Sequence, residues 1–205
     1  MNSTPKVSTI SLSAIVLAGG RSSRMGYDKA LIEISGVPLL RRVCDVALHY
    51  THQVYVVSWN DRYRSIVPPD CHLIADTQQG PLVGFAQGLM HIQTDWVLLL
   101  ACDLPRLQGE DLQSWLIELE IISPSAIALL PHSQKGWEPL CGFYRRTCLS
   151  SLQTFIDQGG RSFQSWLANQ SVQELQLESR DILFNCNTPQ DLEEFNRVDR
   201  YTQKR

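Results

Sequence analysis

"AIVLAGGRSSRMGYDKAL", residues 14–31, decides the fold. Its first five residues form a short unbroken apolar run. A half-buried strand would alternate, so the run predicts a strand covered on both faces, the habit of parallel sheets. A loop follows at once with the paired glycines Gly19 and Gly20, the cations Arg21, Arg24 and Lys29, and Asp28. In open sheets of this kind ligands bind outside the carboxyl ends of the strands, where this loop must lie.

The downstream chain repeats the pattern. "VYVV" (54–57), "HLIA" (72–75), "WVLLLA" (96–101) and "AIALL" (126–130) predict further buried strands. Between them lie helical spacings. Leu40, Val43, Cys44, Ala47 and Leu48 form one stripe after Pro38, a residue suited to the first turn of a helix. Leu82, Phe85, Ala86 and Leu89 form another after Pro81, and Leu112, Trp115, Leu116 and Leu119 a third within 109–120. The alternation predicts an α/β fold, a three-layer αβα arrangement with a mainly parallel, Rossmann-like central sheet. Beyond it, "EPLCGFY", "VQELQL" and "ILFNCN" read as strands. "TCLSSLQTFIDQ", "RSFQSWLA" and "TPQDLEEFNR" read as helices, the last capped by Thr188 with Pro189 behind it. No linker or repeat interrupts residues 1–205, which read as a single domain with residues 1–12 and 201–205 loose.

Composition narrows the function. Hydrophobic residues make up 43% and charged residues 19% of 205 residues, a globular balance. A net charge of −3 speaks against a nucleic-acid partner, which needs many cationic phosphate contacts. The early apolar run is too short for a signal peptide or a membrane span, so a cytoplasmic protein with no membrane contact is expected. Six cysteines, none in a C-x-x-C pair, read as reduced and mostly buried thiols. His49 and His52 read as surface residues rather than metal ligands, and the five tryptophans as core or pocket wall.

The glycine loop is not a Walker loop, because Gly20 and Gly26 have five residues between them and Lys29 comes three later. G-x-G-x-x-G and G-x-S-x-G are absent as well. What remains is a backbone that lets a ligand come close, with Arg21, Arg24 and Lys29 to neutralise a polyphosphate. Asp103 ends the most apolar strand, in "CDLP". A carboxylate there suits Mg²⁺, a hard ion that takes its other ligands from substrate phosphates. Asp76, in "ADTQQGPL", follows the third strand at the same edge.

"LAGGRSSRMGYDKAL" resembles the signature L-x-G-G-x-x-x-R-M-G-x-D-K of the molybdenum cofactor guanylyltransferases, MobA-type members of the nucleotidyltransferase superfamily. Asp76, "GPLVG" (80–84), "CDLP" (102–105), "EPLCGFY" (138–144) and "NCNTPQDL" (185–192) follow in the family's order. The resemblance implies transfer of GMP from GTP to molybdenum-molybdopterin with release of pyrophosphate. It implies that the backbone of Leu17, Ala18 and Gly19 recognises the nucleoside, and that Lys29 sits on the phosphates. Asp76 then contacts the nucleotide and Asp103 binds Mg²⁺. Lys29, Asp103 and Arg24 are the catalytic candidates, Arg24 on the reading of the loop's charge. Asn185 and Asn187 fall in a motif near the pterin side. The implied partners are the two substrates, with transient contact to molybdopterin-carrying proteins. One position departs from the family: Ser58 stands where some members carry a nucleotide-binding asparagine, with Asn60 two residues on.

Three alternatives share parts of this pattern. The cytidylyltransferase of the same cofactor typically has alanine at the position of Gly19 and lacks the glycine at Gly84. A sugar-1-phosphate nucleotidyltransferase is usually longer and lacks "NCNTPQDL". A regulatory nucleotide-binding module has no use for a metal carboxylate at Asp103.

Overall fold

A computed structural model describes residues 10–19, 28–59, 61–184, 186 and 195. Seven strands form the main sheet: β1 (Leu12–Leu17), β2 (Val54–Ser58), β3 (Cys71–Ala75), β4 (Trp96–Ala101), β5 (Ala128–Leu130), β6 (Cys141–Arg145) and β7 (Val172–Glu174). Their spatial order is β7-β5-β6-β4-β1-β2-β3. Within this sheet β6 alone runs against the rest, paired antiparallel with β4 and β5. β1 pairs parallel on both sides, with Ile15 facing Tyr55 of β2 and Leu99 of β4.

The expected three layers are present. α1 (Leu39–Tyr50) and α3 (Gly109–Glu120) cover one face, over Ala14, Val16, Leu98 and Leu100. α2 (Pro81–Leu89), α4 (Leu149–Asp157) and α5 (Phe163–Leu167) cover the other, over Ile15, Leu17, Val97 and Leu99. All six residues of β1 are buried, because alternate side chains enter separate apolar cores. Burial on this scale stabilises by roughly 25 cal/mol per Å² of apolar surface removed from water.

α2 lies unusually close to the sheet. A Cβ on Gly88 would come within 2.8 Å of Ile15 Cδ1. This seat fixes the direction of α2, and with it the helix start at Gly80 and Pro81, beyond the carboxyl edge of β2 and β1.

Several local readings change. The chain joins the sheet before the expected Ala14: Trp96 N–H donates to Ser11 O at 3.2 Å and β1 starts at Leu12. α1 starts at Leu39; Pro38 precedes it and pairs with Glu33 in a hairpin turned by Ser35 and Gly36, both at positive φ. β5 begins only at Ala128, because Ala126 N–H closes a turn onto Ser123 O. β6 begins at Cys141, since Pro139 and Leu140 form a turn. "ILF" is not a strand. Ser179 caps Asp181 N–H and starts a 3-10 turn, Arg180–Leu183, that drives Ile182 into the core. The expected helix in "TPQDLEEFNR" lies outside the described residues except at Phe195, which is helical and buried. None of the six cysteines is in a disulfide, and Cys44, Cys141, Cys148 and Cys186 are buried. Trp96, Trp115 and Trp166 are core, whereas Trp59 is exposed. Among the described residues no helix is long and apolar enough to cross a membrane.

Gly88→Val is expected to destabilise the fold by about 1–3 kcal/mol, the usual cost of forcing extra carbon into a packed core. Urea unfolding measures it; a midpoint equal to wild type would mean that Ile15 yields freely.

Candidate active site

The chain runs outward from β1 through β2 to β3, then crosses back to place β4 on the other side of β1. That reversal opens a crevice at the carboxyl ends of β1 and β4. Main-chain hydrogen bonds define its floor. Ala18 N–H donates to Val57 O at 3.0 Å, Cys102 N–H to Leu17 O at 3.2 Å and Ala101 N–H to Leu140 O at 2.9 Å. Above it lies a cavity of about 400 Å³, within the range of small-ligand pockets. Leu17, Ala18, Gly19, Lys29, Asp76 and Asp103 all line it. Six positions read from the sequence therefore meet at one place.

Lys29 reaches the cavity from a 3-10 turn, Lys29–Leu31, that follows the glycine loop. Its Nζ lies 3.6 Å from Asp103 Oδ2, and the two side chains are only 24% and 17% exposed. Burial raises the Asp103 carboxyl above its ordinary pKa, opposed in part by the Lys29 ammonium and a backbone hydrogen bond. The neighbouring Cys102 thiol is pushed up by burial and by the carboxylates of Asp103 and Asp28, so it stays protonated and is no nucleophile.

Asp76 follows β3. Its own N–H donates to Ser58 O at 3.0 Å, and its Oδ1 accepts Gln78 N–H at 2.9 Å, with Gln78 at a positive φ of 59°. Gln87 of α2 braces this turn, accepting from Thr77 and donating to Ala75 O. A Cβ on Gly19 would run into Asp76 Oδ2, so glycine at 19 leaves the carboxylate its seat. A Cβ on Gly84, also on the cavity wall, would make only ordinary contacts with Val57 and Leu17.

Arg24, Asn60, Asn185 and Asn187 lie outside the described residues. Between the two C-terminal asparagines, Cys186 N–H donates to Asp103 O at 3.3 Å, which ties that segment to the loop after β4. Arg106 reinforces the tie. It pairs with Asp181 at 3.6 Å and lies 4.6 Å over the Phe184 ring. Ser58 is buried, and it is Val57 rather than Ser58 that lines the cavity. Sequence reasoning passed over Asp28, Tyr63, Gln78 and Leu140 as wall residues. Asp28 could have been found beside Lys29 in the loop motif, and Gln78 and Leu140 within "ADTQQGPL" and "EPLCGFY"; Tyr63 carries no local signal.

A mainly parallel sheet with its crevice between β1 and β4, a bare backbone floor and a lysine–aspartate pair define a nucleotidyltransferase class of site. A family model described as the MobA-like NTP transferase domain matches residues 14–175, and the chain belongs to that family. It is 58% identical over 183 residues, 88% of each chain, to a probable molybdenum cofactor guanylyltransferase of Nostoc sp.. It is 43% identical over 187 residues to another of Synechococcus elongatus, covering 89% of this chain and 96% of the relative. The crystal structure of molybdopterin-guanine dinucleotide biosynthesis protein A from Archaeoglobus fulgidus shares the fold, with a TM-score of 0.75 and 23% identity over 92% of this chain and 99% of that one.

The raised Asp103 pKa has a measurable sign. Below the ordinary value of 3.8 the acid is neutral in both folded and unfolded chains. Above it the unfolded chain ionises first, so stability is lost as pH rises through the raised folded pKa. Asp103→Asn should therefore match wild type in thermal stability near pH 4 and exceed it at pH 7. A variant less stable at pH 7 than at pH 4, relative to wild type, would reverse the sign.

Proposed function

We propose that this chain transfers GMP from GTP to molybdenum-molybdopterin, forming the guanine dinucleotide form of the molybdenum cofactor and releasing pyrophosphate. The reading is carried by the convergence of Lys29 and Asp103, 3.6 Å apart, over the Leu17–Gly19 backbone. Similarity to probable molybdenum cofactor guanylyltransferases supports guanine as the base and the molybdenum cofactor as the acceptor.

The residues fit Mg²⁺ held largely by its substrate. Asp103 offers one hard, desolvated carboxylate, and among the described residues no group of three or more His, Cys, Asp or Glu forms a protein cage. Mg²⁺ suits such a site because it keeps waters and phosphate oxygens as its other ligands. When bound, it supplies charge neutralisation on the phosphates.

The acceptor phosphate attacks the α-phosphorus of GTP, and the bond to the β-phosphate breaks. Two anions must meet, so catalysis is positioning plus electrostatic stabilisation. The backbone at Leu17–Gly19 holds the nucleoside against the floor, and Asp76 accepts a hydrogen bond from it beside Gly19. Lys29 offsets the charge that develops on the leaving pyrophosphate. Asp103 fixes the Lys29 ammonium on the phosphate side. No protein base is required, because the acceptor phosphate is already ionised near neutral pH.

Pyrophosphate release is expected from GTP with molybdenum-molybdopterin present, and far less from CTP or ATP; equal rates with CTP would overturn the base assignment. Asp103→Ala should cut turnover by at least about a hundredfold. Lys29→Ala should lower kcat/KM comparably, and an unchanged value would remove its phosphate role. Gly19→Ala should weaken GTP binding by about tenfold, read by calorimetry, because the new methyl displaces the Asp76 carboxylate and a hydrogen bond to a charged group is lost.

A further inference from the structure

The cavity wall holds a tyrosine that the mechanism above does not use. Tyr63 sits in a 3-10 turn, Asp61–Ser65, shortly after β2. Its residue is 2% exposed, and its hydroxyl donates to Asp28 Oδ1 at 2.6 Å. That is a short, charge-assisted bond of the strong kind. Burial and the Asp28 carboxylate raise the phenol's pKa, so the hydroxyl stays a donor throughout the physiological range.

Asp28 caps the turn that carries Lys29. Oδ1 also accepts Ala30 N–H at 3.2 Å, which caps the turn that begins at Lys29. Oδ2 lies 3.7 Å from Arg62 Nη2. Both oxygens are thus engaged, one by the tyrosine and the cap, the other by the neighbouring guanidinium. The consequence falls on Lys29. A lysine head sits on a flexible four-carbon stem, so the backbone from which it starts decides where it can reach. A displacement of about 1 Å at a reacting centre can cost on the order of a hundredfold in rate.

We propose that Tyr63 is a positioning residue for nucleotidyl transfer: by holding Asp28, it fixes the turn that presents Lys29 to the nucleotide phosphates. The proposal rests on the phosphate role of Lys29 given above. It links the β2–β3 connection to the loop after β1, two segments that are distant in sequence and share the cavity wall.

Tyr63→Phe keeps the ring and removes one oxygen. Its kcat for pyrophosphate release from GTP should fall about tenfold, as for a lost hydrogen bond to a charged group. In a Lys29→Ala background the same change should cost nothing further, since no ammonium is left to position. An equal loss in both backgrounds would mark a merely structural tyrosine and overturn the proposal. Wild-type kcat in Tyr63→Phe beside a crippled Lys29→Ala overturns the latch alone. Full activity of Lys29→Ala overturns the phosphate reading and the latch together. If Tyr63→Phe does not fold, Asp28→Asn enters the same cycle, where a loss that vanishes without Lys29 supports the proposal and an additive loss overturns it.

Discussion

β1 is the constraint on which the rest depends. It is hydrogen-bonded to strands on both sides and covered by helices on both faces, so only its carboxyl end at Leu17 reaches the cavity. Polar chemistry is therefore confined to its ends. At the carboxyl end the chain's return from β3 to β4 leaves a crevice, and there Ala18, Gly19, Cys102 and Asp103 line the cavity together. The dry core and the wet site are two results of one topology. A substitution that tilts β1 or the helix seated on it at Gly88 moves the floor of the cavity.

Charge in the cavity is arranged in opposition. Asp103 and Lys29 compensate each other at 3.6 Å in partial burial, while Asp76 accepts from the Gln78 backbone. Burial of Asp103 disfavours its charged form, and the Lys29 ammonium offsets part of that cost.

Much of this was legible in residues 14–103, for a physical reason. Strands buried on both faces must be continuous apolar runs, and whatever follows them must lie at one edge. "AIVLA" and "WVLLLA" therefore located Gly19 and Asp103 without further information. The direction of β6 was not legible, because a strand buried on both faces carries no mark of its polarity. The turn at 180–183 was hidden because Ile182 and Leu183 look alike in a strand and in a capped 3-10 turn, and only the Ser179 cap separates them. Tyr63 was hidden for a different reason: its meaning depends on Asp28, far away in sequence, and a single aromatic in a polar stretch has no periodicity.

The bond from Cys186 N–H to Asp103 O has a consequence in time as well as space. β1, β2, β3 and β4 all precede residue 102, so this part of the sheet can assemble while the chain is still being made. The segment that clasps the Asp103 loop, with Arg106 lying over Phe184 and Phe195, comes from the last part of the chain. Domains fold as units during synthesis, amino-terminal parts first. The carboxylate loop would then gain this brace only after the strands on its amino-terminal side had been made.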